Sequence, residues 1–390
     1  MISVGEARAK LLDLVSPKLE ETVPLWDAAG RVLARDVAAT RDQPPFAASS
    51  MDGYALKGVE AEEHAQFAVI GESAAGHRFP GRVGAGQAVR IFTGAPIPEG
   101  TDFVVIQENT SRTGDVMTIT ADPGTGDNIR PAGNDFTAGA VFTGNKPLAP
   151  ADVALLAAMN ISEVPVVRKP TVALIATGDE LVLPGEDPGP DQIVASNTFG
   201  LKAMLDAAGA QARLLPVARD SISSLRTAFD LAITADLVVT VGGASVGDHD
   251  LVAEAAEGYG MDRSFYKVAM RPGKPLMAGR LGDKAMVGLP GNPVSALVCG
   301  EVFLLPMIRK MLSLNAEFGP VKTAPLAADL APNGPREHYM RSRLHDGQIT
   351  AFDRQDSSLL SVLAQANALL IRPPNDPARA AGDIVEYVEI

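Results

Sequence analysis

Residues 236–251 read DLVVTVGGASVGDHDL. Leu237, Val238, Val239 and Val241 form an apolar run without polar alternation, which predicts a strand buried on both faces. Gly242 and Gly243 follow at once, so the turn lies at the strand's C-terminal end, ahead of a helix expected from Leu251. Strand, glycine turn and helix in that order decide the fold, because they describe one βα junction of a helix-covered parallel sheet, where ligands bind. Glycines permit positive φ and close backbone approach, so the N–H groups at Gly242, Gly243 and Gly247 can converge on an anion near a helix's positive end. Ser245 adds a hydroxyl donor. Asp248 and Asp250 set carboxylates beside that anion, which suits Mg²⁺ bridging to phosphate oxygens. A tight turn with an aspartate helix cap fits the same spacing. His249 reads as a surface residue.

On both sides of this junction the alternation continues over residues 169–312. TVALIAT (171–177) is a buried-type strand, and Asn197 is placed to cap a helix carrying Leu201, Met204, Leu205 and Ala208, ended by Gly209. RLLPVA (213–218) and a helix over 223–233 follow. The expectation is a parallel sheet whose loops at the strand C-termini form the crevice. ATGDEL (176–181) brings Asp179 and Glu180 to that edge, and Asp220 adds a carboxylate. RPGKP (271–275) holds Arg271 and Lys274 in a proline-stiffened turn suited to clamping an oxyanion. LPGNPVSA (289–296) places Pro290, Gly291, Asn292 and Pro293 before a helix opening near Val294, presenting N–H groups and the Ser295 hydroxyl. Each loop alone also reads as a solvated turn. Together, Glu180, Asp220, Asp248 and Asp250 opposite Arg271 and Lys274 imply a metal plus a phosphate.

A chain of 390 residues exceeds what one core serves, so two to four domains are expected. With 46% hydrophobic and 21% charged residues it has the apolar surface to fill them. Residues 1–20 predict a helix capped by Ser3 and ended by Pro17; residues 42–140 predict short strands between Gly-Pro-Asp turns; a second helix is expected at 151–159. A β region between helical segments suggests an insertion. From residue 318 strands return, with a hairpin at Asp346-Gly347, and a C-terminal β-barrel is the simplest reading. The β region carries Asp52 in PPFAASSMDGYAL (44–56), Thr93 in RIFTGAPIPEG (90–100), and Arg130 and Asp135 in NIRPAGNDF (128–136), all readable as shaped turns. A net charge of −13 argues against nucleic acid and anionic membranes as partners, so any anionic substrate needs a local cationic cluster. One cysteine, Cys299, excludes an intrachain disulfide. The start lacks a signal-peptide pattern and no apolar run reaches roughly 18 residues, so the cytoplasm is the expected compartment.

Seven ordered motifs, PPFAASSMDGYA, FTGAPIPEGTD, NIRPAGND, TGDEL, GGASVGDHD, RPGKP and LPGNPVSA, resemble molybdopterin molybdenumtransferase over nearly the whole chain. The resemblance implies a multidomain α/β protein: a helical N-terminal domain (1–41 with 141–168), an all-β insertion (42–140), a βαβ molybdopterin-binding domain (169–312) and a C-terminal β-barrel (318–390). It implies an elongated homodimer that inserts molybdate into adenylylated molybdopterin with Mg²⁺-assisted release of AMP. The active cleft would be shared between subunits, and the molybdopterin adenylyltransferase is a possible partner. Asp52, Thr93, Glu180, Asp250 and Lys274 are the implied catalytic residues. Gly242, Gly243, Ser245, Gly247, Asp220, Asp135, Arg271, Pro290, Gly291, Asn292 and Pro293 are the implied substrate contacts, and Glu180, Asp220, Asp248 and Asp250 the metal ligands. Lys274, Ser295, Arg341, Ser357 and Ser358 match the molybdate site. Arg271 stands where many relatives carry lysine, which keeps the charge. Two rivals are the single-domain molybdopterin adenylyltransferase, which the extra domains disfavour, and a non-catalytic scaffold such as gephyrin supplies.

Overall fold

The computed structural model describes residues 1–243, 251–316 and 318–390. The chain divides into two compact units, Thr22–Val166 and the union of Met1–Glu21 with Val167–Ile390. The opening helix, Val4–Asp13, has the expected Ser3 cap. Ser3 Oγ accepts from Glu6 N and the Glu6 side chain returns to Ser3 N, a reciprocal capping box.

The larger unit is built on a six-stranded sheet: β1 (Thr171–Ala176), β2 (Gln211–Leu214), β3 (Leu237–Val241), β4 (Met261–Tyr266), β5 (Met277–Leu281) and β6 (Lys284–Leu289), in the order β2-β1-β3-β6-β5-β4. The first four in that order run parallel as the apolar runs predict, but β5 pairs antiparallel with both β6 and β4, so the sheet is mixed. A two-residue turn, Gly282-Asp283, joins β5 to β6, and so short a link can only join antiparallel strands.

Helix Ile222–Ala232 covers one face. Leu225, Ala228, Phe229 and Ala232 recur at helical spacing and pack on Ala173, Ile175 and Val238 of the sheet. Burial of Leu225 and Phe229 is worth about 1.5–3 kcal/mol each. Helix Asn197–Ala207 connects β1 to β2; Ser196, not Asn197, is its N-cap, and Gly209 at φ +92° follows its end.

The C-terminal segment forms an antiparallel sheet of Lys322–Pro325, Glu337–His345, Gln348–Ala351, Ala368–Arg372 and Ile384–Glu389. Asp346 and Gly347, both at positive φ, make the expected hairpin turn. These strands curl into a half-barrel whose margins approach at one bridge, Leu326 with Ile349. Its edge strand, Met270–Arg271, comes from the RPGKP loop and pairs parallel to Glu337–His338.

In the smaller unit a six-stranded mixed sheet runs in the order Phe103–Ile106, Gly53–Leu56, Gln87–Ile91, Gln66–Ser73, Val116–Ile119, Thr110–Thr113. Tyr54, Leu56, Phe67, Val105, Met117 and Ile119 fill its core. The segments on either side of it share a second core, Ala28, Leu33 and Val37 with Leu148, Leu156 and Val164. That core has one α-helix, Pro150–Ala158, and the opening helix groups with the larger unit.

Candidate active site

The strand order reverses between β1 and β3, and a cavity of about 820 Å³ opens at their C-terminal ends. Thr177, Gly178 and Glu180 after β1, Gly242 and Gly243 after β3, and Pro290 to Pro293 after β6 line it, with Asp220 on the same wall. Gly242 sits at φ +101°, and a Cβ there would lie 2.6 Å from the Thr177 carbonyl oxygen, so only glycine lets the two loops meet. Ser245, Gly247, Asp248 and Asp250 lie outside the described residues.

The carboxylate wall is braced by residues whose part the sequence did not announce. Arg219 Nη1 donates to the carbonyls of Asp179 (2.9 Å) and Leu181 (3.1 Å), which holds the Gly178–Leu181 turn. Asp179 Oδ1 accepts from Asp220 N at 3.1 Å, so the loops that carry Glu180 and Asp220 are joined. Glu180 and Asp220 are exposed and free to meet a ligand. Among the described residues no group of three His, Cys, Asp or Glu side chains could hold a metal ion.

On the opposite rim Asn197 Nδ2 donates to Gly291 O at 2.6 Å, which explains why it does not cap its helix. Asn292 Nδ2 donates to Ser357 Oγ at 2.9 Å and Val294 N to Ser357 O at 3.1 Å, so the segment of the C-terminal sheet carrying Ser357 and Ser358 is drawn onto the cavity, where Ser358 forms part of the wall. Ser295 is buried in the first turn of helix Pro293–Cys299. Arg271 and Lys274 are exposed and make no ion pair among the described residues.

Arg341 is fully buried behind the Ser357 loop and does not line the cavity. Burial lowers its pKa, the charge of Asp356 works against that, and the charge of Arg271 adds to it. The neighbouring His338 is held neutral, its pKa pushed down to about 3 by burial and by Arg271, Arg341, Arg372 and Arg336.

The smaller unit has its own cavity, about 580 Å³, lined by Gln43, Pro44, Phe46, Arg130 and Asp135. In the same unit Asp52 precedes the strand Gly53–Leu56 and accepts two hydrogen bonds from Thr93. The sequence separated these motifs by 41 positions; the sheet brings them into contact.

Three family models match in sequence order: the MoeA N-terminal region (domain I and II) over residues 2–160, a probable molybdopterin binding domain over 173–310, and the MoeA C-terminal region (domain IV) over 323–390. Molybdopterin molybdenumtransferase of Nostoc sp. is 36% identical over all of this chain and 94% of its own length. The Bacillus subtilis enzyme of the same name is 34% identical over all of this chain and 94% of its own. Among solved structures, the molybdopterin biosynthesis moeA protein of Pyrococcus horikoshii OT3 superposes with a TM-score of 0.83 at 28% identity, covering 100% of both chains. Such end-to-end likeness, at identities where fold and domain order are kept together, leaves one conclusion: the chain belongs to the molybdopterin molybdenumtransferase family.

Proposed function

We propose that the protein transfers molybdenum from molybdate to adenylylated molybdopterin, releasing AMP. The observation that carries this reading is the cavity at the β1/β3 reversal, where a glycine cradle, a carboxylate wall and the Asn292–Ser357 rim face one space. The Gly242–Gly243 backbone takes the phosphates, and Pro290 to Pro293 orient the substrate by shape. Lys274, Arg271, Ser295, Ser357 and Ser358 hold the tetrahedral oxyanion, with Arg341 acting from behind them. Such a site works by positioning and charge stabilisation, as phosphoryl-transfer sites do.

Glu180 and Asp220 offer oxygen donors alone, which suits a hard cation such as Mg²⁺, and Asp248 and Asp250 are the proposed remaining ligands. Mg²⁺ bound there would neutralise the pyrophosphate. Asp52 and Thr93 are proposed as catalytic residues and Asp135 as a substrate contact. The protein is further proposed to be a cytoplasmic homodimer of four-domain subunits that receives its substrate from the molybdopterin adenylyltransferase. No helix among the described residues is long and apolar enough to cross a membrane.

Purified protein supplied with adenylylated molybdopterin, molybdate and Mg²⁺ is expected to release AMP, and omission of either ion to stop it. A folded protein that releases none overturns the reading. Light scattering tests the dimer.

A further inference from the structure

Two arginines are buried in the half-barrel sheet, and they are paired differently. Arg372 donates its Nε to the carboxylate of buried Asp376, so its charge is compensated on the spot. Arg341 has no carboxylate in contact among the described residues. Its backbone N, Nε and Nη2 all donate to Gln355 Oε1, at 3.1, 3.1 and 2.9 Å, and its Nη1 donates to the Asp356 carbonyl oxygen at 2.6 Å. Gln355 closes the clip from its other end, Nε2 donating to the carbonyls of Arg341 (2.9 Å) and Phe352 (2.7 Å). The Asp356 carboxylate is turned to Ser358, whose N and Oγ donate to Oδ1 at 2.8 and 2.5 Å. The loop held in this way carries Ser357, bonded to Asn292, and Ser358, on the cavity wall.

A carboxylate at position 355 would neutralise the guanidinium; an amide anchors it and leaves the charge in place. We propose that Gln355 is a positioning residue for oxyanion binding, which fixes the Ser357–Ser358 loop and, being neutral, leaves the charge of Arg341 to act at the cavity rim, while Asp356 partly offsets it. This inference rests on the transferase reading for its ligand. Its consequence is that affinity for a tetrahedral oxyanion follows the formal charge at positions 355 and 356.

Calorimetric titration of the full-length protein with molybdate alone tests this, using wild type, Gln355→Glu and Asp356→Asn. Asparagine keeps the Oδ1 acceptor for Ser358, so the second variant changes charge without changing the turn. Gln355→Glu is expected to weaken molybdate binding roughly three- to thirtyfold and Asp356→Asn to tighten it roughly two- to tenfold, both effects shrinking at high salt. In AMP-release assays the same changes should fall on the molybdate half-saturation point rather than on kcat. If Gln355→Glu fails to fold, Asp356→Asn alone decides. Weakening in both variants, or no change in Asp356→Asn, would reduce Gln355 to a loop-shaping residue and overturn the proposal, as would a wild-type protein that binds no molybdate. A wild type that binds molybdate yet releases no AMP counts against the transferase reading instead.

Discussion

Thr93 donates two hydrogen bonds to a single oxygen of Asp52, from its backbone N at 2.7 Å and from its hydroxyl at 2.8 Å. These bonds, the backbone one first, hold the Asp52 carboxyl below its ordinary pKa, with Arg90 nearby helping. Thr93→Val keeps the backbone donor and removes the hydroxyl. The Asp52 pKa then rises, so the acid limb of the pH profile for AMP release is expected to move to higher pH. Asp52→Asn should lower kcat at neutral pH roughly 100-fold. An acid limb that stays in place in Thr93→Val would show that Asp52 does not govern it.

Gly242→Ala should damage the phosphate cradle. The substitution puts a Cβ against the Thr177 carbonyl at a φ that alanine rarely adopts. A stability loss of about 1–3 kcal/mol is expected, with weaker molybdopterin binding, readable by thermal melting and by titration with the pterin. Gly114→Ala, in open space at φ +64°, is the control for backbone strain alone and should leave binding intact.

Asp236 joins three parts of the larger unit. It accepts from Arg168 Nη2 at 2.8 Å, Thr171 N at 2.8 Å and Lys18 Nζ at 3.3 Å. Burial pushes its carboxyl up, but the bonds from Arg168 and Thr171 and the charge of Lys18 outweigh that and hold it down at about 2. Because the folded pKa lies below the unfolded value of 3.8, its contribution is complete above pH 3.8 and is lost as pH falls toward 2. Asp236→Asn is expected to cost about 1–3 kcal/mol near neutral pH and nothing comparable near pH 2, measured by denaturant titration across that range.

Glu301 has the opposite sign. It sits in the π-helical turn Gly300–Leu304, and burial raises its pKa to about 7. The fold therefore favours the protonated form, and wild-type stability declines as pH rises from 4.5 through about 7. Glu301→Gln removes that decline. The variant should exceed wild type by on the order of 1–2 kcal/mol at pH 8, allowing for solvent screening of a half-buried group, and match it near pH 4. Equal melting curves at both pH values would show that the carboxylate is solvated.

Features that depend on neighbours along the chain were readable from the residues alone. Apolar runs marked β1 and β3, Ser3 marked a helix start, and Asp346-Gly347 marked a hairpin, because periodicity, caps and turn conformations are settled within a few residues. The same local signals put Glu180, Gly242 and Asn292 at strand ends, so most of the described cavity wall was legible. Which distant groups meet was set by the packing of the folded chain. It placed Met270–Arg271 on the edge of the half-barrel, turned Asn197 from a cap into a brace on Gly291, and buried Arg341 behind Gln355. It also gave Arg219 the task of holding the Glu180 turn. The reason is physical: partner choice and burial are set by contacts between residues tens to hundreds of positions apart, and an arginine in a strand reads the same in sequence whether it faces a ligand or is sealed under an amide.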